Sequence, residues 1–349
     1  MKRYLLMLAA VFAALGAGAQ ELVVGAGFET RFDNREYSGN TYDRSQTLFS
    51  ARLTPRVGVE WSGHNRLIFG VDLLQNFGQN DRFLSEAKPL MYYRFKNEHV
   101  KAAAGIFDRR ELDGDYPLAM VSDSMKFYEN RISGLMGQYR SSRREDTFVE
   151  LSLDWVGIKS GHSRERFRIL SAGRYSFGRC FYFGYAFSLF HFANSDFDDD
   201  VADNMMLVPN IGTKFSALFD FEIEAGAILA PQRLRMLGKG WTTPKGGELR
   251  FKMSWHGIML ENRLYAGQGL MPCYGVYGGE LYAGERFYST DRTVYNRTEL
   301  GYKGRFFNKT LEVEAGILFH YDGTGLGTSQ VIRLGVDIER LFKIGGRKN

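Results

Sequence analysis

The sequence predicts an all-β protein, a transmembrane antiparallel up-and-down β-barrel of about sixteen strands around a polar lumen. Three observations lead to this fold class. The chain opens with a segment typical of export, apolar and polar residues alternate over stretches long enough to cross a membrane, and long connections alternate with short ones. Fourteen strands are the alternative count, because two of the predicted strands have weak patterns.

The export segment combines two basic residues, Lys2 and Arg3, with an apolar run over residues 4–15 and the small residues Ala-Gly-Ala at 17–19. This is the pattern of a cleaved signal peptide. The apolar run is shorter than the roughly 20 residues that a membrane-spanning helix needs. We therefore predict a signal peptide over residues 1–19 and one outer-membrane barrel domain over residues 20–349.

Composition supports a barrel and argues against a nucleic-acid partner. Without Lys2 and Arg3, the 45 basic residues become 43 against 40 acidic ones, a net charge of +3. A nucleic-acid partner would require basic residues concentrated on one face. The mean hydropathy is −0.29, although 15% of the residues are aromatic. A membrane barrel reconciles these values, because its lipid-facing apolar residues alternate with lumen-facing polar ones.

The second predicted strand has the clearest pattern. Between Phe49 and Trp61 every second residue is apolar or small, and most residues between them are polar or charged. This period of two runs for thirteen residues, whereas strands of soluble proteins are most often about five or six residues long. Membrane strands need about 9–11 residues. The same alternation recurs at 24–33, 66–73, 149–155 and 311–321.

The remaining strands follow from the connections, which alternate between long external loops and short periplasmic turns. An even number of strands places both ends of the barrel in the periplasm. The weakest patterns are at 128–140 and 180–192. The sixteen predicted strands are 22–32, 47–61, 66–76, 87–96, 99–107, 128–140, 147–156, 165–176, 180–192, 206–219, 221–229, 248–256, 258–266, 293–306, 310–320 and 330–342.

This topology separates the two cysteines. Cys180 falls beside a periplasmic turn and Cys273 in an external loop. A disulfide requires its two Cα atoms to lie within about 7 Å of each other. We therefore predict two unpaired thiols.

Charged residues on the inward positions define a predicted pore lining. The first and last strands become neighbours when a barrel closes, so their arginines should form a basic patch on one wall. Rings of charge can set the selectivity of a pore; the alternative is that a wide barrel only needs a soluble interior. The patch consists of Arg31, Arg52, Arg56, Arg66 and Arg333, and facing strands add Arg297, Glu299, Lys303, Glu312, Glu314 and Asp337.

The third external loop, residues 108–127, concentrates opposite charges between Asp108 and Pro117. Here the chain resembles general bacterial porins, in which a long third loop folds into the barrel and faces a basic wall. The alternative is a loop that packs over the mouth or against a neighbour. The resemblance implies five constriction residues, namely Arg109, Arg110, Glu111, Asp113 and Asp115.

The predicted last strand also carries a family resemblance. Gly335, Ile338 and Phe342 partly match the C-terminal assembly signal of outer-membrane barrels, but a basic tail at 345–349 replaces the terminal aromatic residue. This tail and the Ala-Gln cleavage site are similar to barrels of the Bacteroidota. The resemblance implies a location in a bacterial outer membrane.

Neither a metal site nor an enzyme is predicted. Asp196, Asp198 and Asp200 are candidates for Ca²⁺, but they lack the glycine and the distal glutamate of a calcium loop, so a solvated acidic loop is expected. The six histidines form no HExxH motif, and no GxSxG motif occurs. Outer-membrane hydrolases place polar residues at the outer edge of a barrel. The candidates for that alternative are His191 with Ser195 or Asp196, and His320.

The function predicted from the sequence is a porin-like channel for passive diffusion of small polar solutes, with no cofactor. Two alternatives remain open: a non-conducting subunit of a secretion, assembly or uptake complex, and a surface hydrolase. The expected partners are outer-membrane lipid and small polar solutes, with a second copy or an envelope complex as further candidates.

Overall fold

The protein folds as a closed antiparallel barrel. The computed structural model describes residues 20–344, apart from residues 80, 81, 145, 197–199, 237 and 239, so the predicted signal peptide lies outside the described residues. One sheet contains all seventeen described strands. They are β1 (Gln20–Glu36), β2 (Gln46–Trp61), β3 (Asn65–Asn76), β4 (Glu86–Lys96), β5 (Val100–Asp108), β6 (Arg131–Arg140), β7 (Phe148–Gly157), β8 (Arg166–Phe177), β9 (Phe181–Phe192), β10 (Ala202–Ser216), β11 (Asp220–Leu229), β12 (Gln232–Leu234), β13 (Lys245–Trp255), β14 (Ile258–Gly267), β15 (Val294–Phe306), β16 (Leu311–Tyr321) and β17 (Leu326–Ile344).

Sixteen of these strands are long and form the barrel wall, which confirms the predicted fold class. The seventeenth, β12, has three residues and lies within the predicted connection 230–247. It was missed because three residues are too few to show a period. The predicted strand 128–140 begins instead at Arg131, since Tyr128 ends a short helix.

The barrel closes where the two ends of the described chain meet. Strand β1 pairs with β2 on one side and, from Gln20 to Glu36, with β17 on the other. Strand β10 pairs with β9, β11 and β12, and β11 pairs with β13. The wall is therefore continuous, with β12 attached at one end.

The two faces of the wall follow from the period-two pattern. On β1 the alternate residues Glu29, Arg31 and Asp33 are buried inside the barrel, while the side chain of Phe28 is 43% exposed on the outside. An exposed apolar outer face suits a lipid environment, and polar inner residues suit a wet interior. On β9, Tyr182 and Phe190 are buried inside, which settles the orientation of that strand.

Short turns collect at one end of the barrel together with both ends of the described chain. One of them is the turn between β13 and β14, where His256 and Gly257 both have positive φ angles of 47° and 89°. A Cβ atom at Gly257 would lie 2.7 Å from the carbonyl oxygen of Lys303, so this turn requires glycine. Because outer-membrane barrels have short periplasmic turns and long external loops, we assign this end to the periplasm.

Two external loops contain helices and enter the barrel. The third loop, residues 109–130, begins with a 3₁₀ turn and contains helix α1 (Asp123–Tyr128), whose N-cap Ser122 accepts a hydrogen bond from the N–H of Met125. The seventh loop, residues 268–293, contains helix α2 (Tyr274–Leu281) and a second 3₁₀ turn. Apolar side chains from both loops share one buried cluster with the inner wall.

In the described part of the chain, no helix combines the length and the apolar character that crossing a membrane requires. Cys180 and Cys273 are both free thiols.

Candidate functional site

The third loop lies against the inner wall, far below the external mouth. Its anchor is Glu150 on β7, a fully buried residue near the periplasmic end of the strand. The Glu150 carboxylate accepts hydrogen bonds from the N–H groups of Asp113 (2.7 Å) and Gly114 (3.2 Å), and from the Tyr116 hydroxyl (2.8 Å). The loop therefore occupies the lumen rather than covering the mouth, and residues 109–130 are called the plug below.

The plug also reaches the opposite wall. The Arg250 guanidinium on β13 donates to the Asp115 carboxylate at 2.5 Å, and Arg297 on β15 donates to Asp123 at 3.2 Å. Burial disfavours the charged form of Asp115, but Arg250 and Arg263 outweigh this and hold its pKa below the usual value. The plug is thus fixed to strands on both sides of the lumen.

All sixteen residues predicted from the sequence to line the pore or its constriction lie on the inner wall or in the plug, but they pair differently than expected. Each arginine of the predicted basic patch contacts a carboxylate. The positive charges on this wall are therefore balanced by negative ones, and the wall is not basic. The pairs are Arg31–Asp33 (3.1 Å), Arg52–Asp72, Arg56–Asp337 (2.5 Å), Arg66–Glu339 (2.6 Å) and Arg333–Glu314 (3.0 Å).

The predicted constriction residues are paired in the same way. Their role in a constriction stays a prediction. Arg109 contacts Asp154 (2.7 Å), Arg110 contacts Asp108 (2.6 Å), Glu111 contacts Arg94 (3.2 Å), Asp113 contacts Lys101 (3.2 Å) and Asp115 contacts Arg250 (2.5 Å). On the facing strands, Arg297 contacts Glu299 (2.9 Å).

A cavity of about 450 Å³ remains between the plug and the wall. Its lining carries both signs of charge and includes Arg31, Asp115, Arg263, Arg297, Glu299 and Arg333. A polar cavity of this size can hold water and small polar solutes.

Apolar packing between the plug and the seventh loop closes the external side of this cavity. Phe287 and Tyr288 of the seventh loop are fully buried against Tyr295 on the wall. Two backbone hydrogen bonds join the loops, from Glu285 to the Leu118 carbonyl (2.8 Å) and from Ser122 to the Ala283 carbonyl (2.9 Å). The two loops therefore form an apolar layer on the external side of the cavity, which is called the seal below.

His320 belongs to this seal. Its side chain is 2% exposed, its Nδ1 lies 2.8 Å from the Tyr295 hydroxyl, and its ring stacks on Phe287 at 4.6 Å between centroids. A catalytic group that acts on membrane lipid must be reachable from the lipid. We therefore assign His320 a packing role.

His191 lies on the outer face of the barrel. It is the penultimate residue of β9, and its neighbours Phe190 and Phe192 are buried inside. Because side chains alternate along a strand, the imidazole points outward. The ring stacks on Phe167 at 4.9 Å, and Phe167 stacks on Trp155 at 5.6 Å. His191 thus stands at the external rim, in a row of lipid-facing aromatic residues.

A carboxylate stands directly across from His191. Asp203 on β10 pairs with His191 in register, and the His191 Nδ1 lies 3.8 Å from the Asp203 Oδ1. This separation exceeds a hydrogen bond, but catalytic hydrogen bonds are often long before substrate binds. An imidazole that can act as a base and a carboxylate that can orient it thus lie side by side on the outward surface.

Two arginines hold this carboxylate, each through its Nε and one Nη. Arg233 donates to Asp203 at 2.7 and 3.2 Å, and Arg235 donates at 2.7 and 2.9 Å. The Arg233 guanidinium also lies 4.8 Å from the centre of the Trp241 ring. Two guanidinium groups against one carboxylate leave a positive charge beside His191. We call His191, Asp203, Arg233, Arg235 and Trp241 the rim cluster.

The position of the rim cluster indicates function rather than stability. Charged residues on a lipid-facing surface are costly within the hydrocarbon region and are tolerated near the interface. The cluster lies at the external ends of β9 and β10, where strands meet the lipid headgroups. It is therefore placed to contact the polar part of a lipid in the outer leaflet.

Sequence reasoning found only part of this cluster. It named His191 but paired it with Ser195 or Asp196, which lie in the following external loop, where the N–H of Asp196 donates to the Ser160 carbonyl. The partner is Asp203, and only strand register reveals it. The available signal for Arg233 and Arg235 was their spacing of two residues, which in an extended chain places both side chains on one face.

The acidic loop offers no site among its described residues. Asp198 lies outside the described residues, and Asp196 is exposed. Within the part of the chain that the structure describes, no group of three or more His, Cys, Asp or Glu side chains could hold a metal ion.

Comparison with known families identifies one match. The model of a family described as Lipid A 3′-O-deacylase-type matches residues 17–338, which is almost the whole chain. No curated protein sequence matches the chain.

Solved structures with a similar fold are outer-membrane barrels. OprB of Pseudomonas putida has a TM-score of 0.50 and 9% identity, covering 95% of this chain and 97% of its own. An anion-selective porin from Comamonas acidovorans has a TM-score of 0.50 and 10% identity, covering 92% of this chain and 100% of its own. At such low identity these likenesses show the fold alone. The chain is a porin-like barrel of the bacterial outer membrane.

The family match corrects one expectation. The sequence analysis predicted that the chain is not an enzyme, and this prediction is wrong, because the matching family is one of deacylases. The motifs that were sought, HExxH and GxSxG, place catalytic residues close together in sequence. A site on the outside of a barrel is assembled from several strands, so no short motif reports it.

Proposed function

The chain belongs to the lipid A 3′-O-deacylase-type family, and from this membership and the rim cluster we propose that it is an outer-membrane hydrolase that removes an ester-linked acyl chain from lipid A. The observation that carries the proposal is the pair of His191 and Asp203 on the lipid-facing surface, with the Asp203 carboxylate held by two arginines. Ester hydrolysis needs a general base, a carboxylate that orients this base, and a positive charge near the reacting carbonyl.

In the proposed reaction His191 is the general base. Its Nε2 accepts a proton from a water molecule as the water oxygen attacks the ester carbonyl carbon. Asp203, across from Nδ1, holds the ring in the tautomer that leaves Nε2 free and stabilises the imidazolium that forms. The imidazolium then returns the proton to the departing sugar oxygen. The products are a free fatty acid and a sugar hydroxyl, and water is the second substrate.

The two arginines place positive charge near the oxygen that becomes negative during the reaction. Attack on the carbonyl carbon places a negative charge on the carbonyl oxygen, and cationic N–H donors near that oxygen lower the barrier. Arg233 and Arg235 use their Nε and one Nη to bind Asp203, which leaves the other Nη of each guanidinium for the oxyanion. They also keep Asp203 ionised next to lipid.

Apolar residues beside the rim cluster suit the acyl chains. Trp155 is 43% exposed on the external side of β7, and Leu207 is 39% exposed on β10, deeper in the membrane than Asp203. An acyl chain in the outer leaflet would run along this surface with its ester at the level of His191. The substrate can therefore be reached without leaving the membrane.

The test is direct. Purified, folded protein is incubated with lipid A in mixed detergent micelles, and the products are followed by mass spectrometry. We expect lipid A to lose one ester-linked acyl chain and an equal amount of free fatty acid to appear. Lipid A that stays intact in the presence of correctly folded barrel would contradict the proposal.

A second candidate function is passage of small polar solutes, which the charged cavity of about 450 Å³ favours. We place it second because the plug and the seventh loop pack together in the external part of the lumen. Conduction would require the plug to move, against its hydrogen bonds to Glu150 and its ion pair with Arg250.

Planar-bilayer recordings separate the two functions. We expect the full chain to give no sustained ohmic steps, and a variant in which a short Gly-Ser linker replaces residues 112–128 to give stepwise conductance. Heat-modifiable mobility in gels serves as the control that both proteins are folded. Equal steps from both proteins would mean that the plug does not block the lumen, and would favour the channel.

A further inference from the structure

A basic pocket lies at the periplasmic rim, far from the rim cluster. Two neighbouring short connections, at 141–147 and 178–180, carry the exposed residues Arg143, Arg144 and Arg179. The pocket between them has a volume of about 490 Å³. Its lining also includes Asp146, Lys214 and Phe181. We call it the periplasmic pocket.

The charge of the periplasmic pocket is positive. Its acidic lining residue, Asp146, is engaged by the Lys214 ammonium at 3.3 Å, and Lys214 also lies 3.8 Å from Glu222. The three arginines are therefore not neutralised by this carboxylate. Among the lining residues, Lys214 and the three arginines outnumber this one acid.

One of the arginines is held in place against the lipid-facing surface. The Arg144 guanidinium lies 4.7 Å from the centre of the Tyr175 ring and donates to the Ser176 carbonyl at 3.2 Å. Tyr175 is 39% exposed on the outer face of β8. Because the guanidinium is fixed at the membrane interface, less entropy is lost when it binds a ligand.

The pocket also has an apolar side. Phe181 lines it and is 50% exposed on the outer face of β9, where it stacks on Phe177 at 6.0 Å. Phe183 continues this apolar surface toward the membrane centre and is 54% exposed. A ligand that satisfies both sides of the pocket has an anionic head and hydrocarbon tails.

We propose that the periplasmic pocket binds the headgroup of an anionic phospholipid in the inner leaflet of the outer membrane. Arg143, Arg144 and Arg179 contact the phosphate, and the acyl chains run along Phe181 and Phe183. Basic pockets at the membrane surface recognise anionic headgroups, and aromatic belts mark the interface where such headgroups lie. This binding is separate from the proposed hydrolysis and does not depend on it.

The test compares lipid retention. The barrel is reconstituted with equal amounts of phosphatidylglycerol and phosphatidylcholine, released into the gas phase by native mass spectrometry, and scored for bound lipid. We expect the wild type to retain phosphatidylglycerol in preference, and the variant R143Q/R144Q/R179Q to reduce that preference by roughly tenfold, since each cation near an anionic surface adds to the affinity.

The matched control is K309Q/R340Q/K343Q, which removes three exposed cations from the same end of the barrel but outside the pocket. It should keep the wild-type preference. The proposal is overturned if the wild type shows no preference, if the two triple variants behave alike, or if inorganic phosphate displaces the lipid, which would indicate a site for a free anion. If a variant fails to fold, the preference of the wild type for phosphatidylglycerol over phosphatidylcholine still tests the proposal.

Discussion

Replacing His191 by alanine is expected to lower the initial rate of lipid A deacylation by about three orders of magnitude, the middle of the range for loss of a general base. The substitution leaves the barrel intact, because His191 lies on the outer face, where its ring stacks on Phe167 and faces Asp203. The rate is measured as fatty acid released from lipid A in micelles. Asp203→Asn should give a smaller loss, since it removes only the group that orients and stabilises the imidazole.

The matched control is His162→Ala. His162 is exposed in the external loop between β7 and β8, on the same side of the barrel as the rim cluster. We expect this variant to keep its rate within about twofold, because surface substitutions away from a site have small effects. If His191→Ala and His162→Ala have equal rates, the rim cluster is not the catalytic site, and any hydrolysis of lipid A by the chain takes place elsewhere.

Replacing Asp72 by alanine is expected to lower the free energy of unfolding by about 3–5 kcal/mol, the usual cost of removing one member of a buried ion pair. Asp72 is 3% exposed and forms ion pairs with Arg52 and Arg131. Arg52 also donates to Asn130 in the plug at 2.6 Å. Without the carboxylate, two guanidinium groups remain buried without a countercharge. Urea unfolding in lipid vesicles, followed by tryptophan fluorescence, measures the loss.

Glu312→Ala is the comparison for that experiment. Glu312 pairs with Lys303 at 3.0 Å and Arg305 at 2.9 Å, but all three side chains are more than a third exposed at the periplasmic end. Pairs of this kind contribute up to about 1 kcal/mol. A loss from Asp72→Ala no larger than that from Glu312→Ala would show that water reaches Asp72 and that the pair is not buried.

The fold could be predicted from the sequence because each strand is indicated by the pattern of its own residues. The alternation between Phe49 and Trp61 reports one strand and both of its faces, and it needs no knowledge of any other part of the chain. The turn at Gly257 follows equally from local chemistry. Short elements were harder: β12 is below the length at which a period can be seen, and α1 fell within the predicted third loop, with only its last residue, Tyr128, assigned to the next strand.

The candidate site could be predicted only in part because its residues come from different strands and meet only in the folded barrel. His191 and Asp203 are twelve positions apart, and they meet because β9 and β10 pair in one particular register. The arginines named from the sequence lie on the inner wall, but most of their carboxylate partners come from other strands, some at the far end of the chain, as Arg56 and Asp337 show. Periodicity predicts the face of a strand, whereas register decides which side chains meet.

The pairing of β1 with β17 also determines how the molecule can assemble. Contacts between residues far apart in sequence form slowly, because the entropy of closing the intervening chain must be lost first, and this pairing joins Gln20 to Ile344. The plug binds β7 through Glu150 and β13 through Arg250. Those strands lie between the two ends, so the plug can dock on a curved open sheet before the seam forms. We therefore expect the pairing of β1 with β17 to be the last step of folding, around a plug that is already in place.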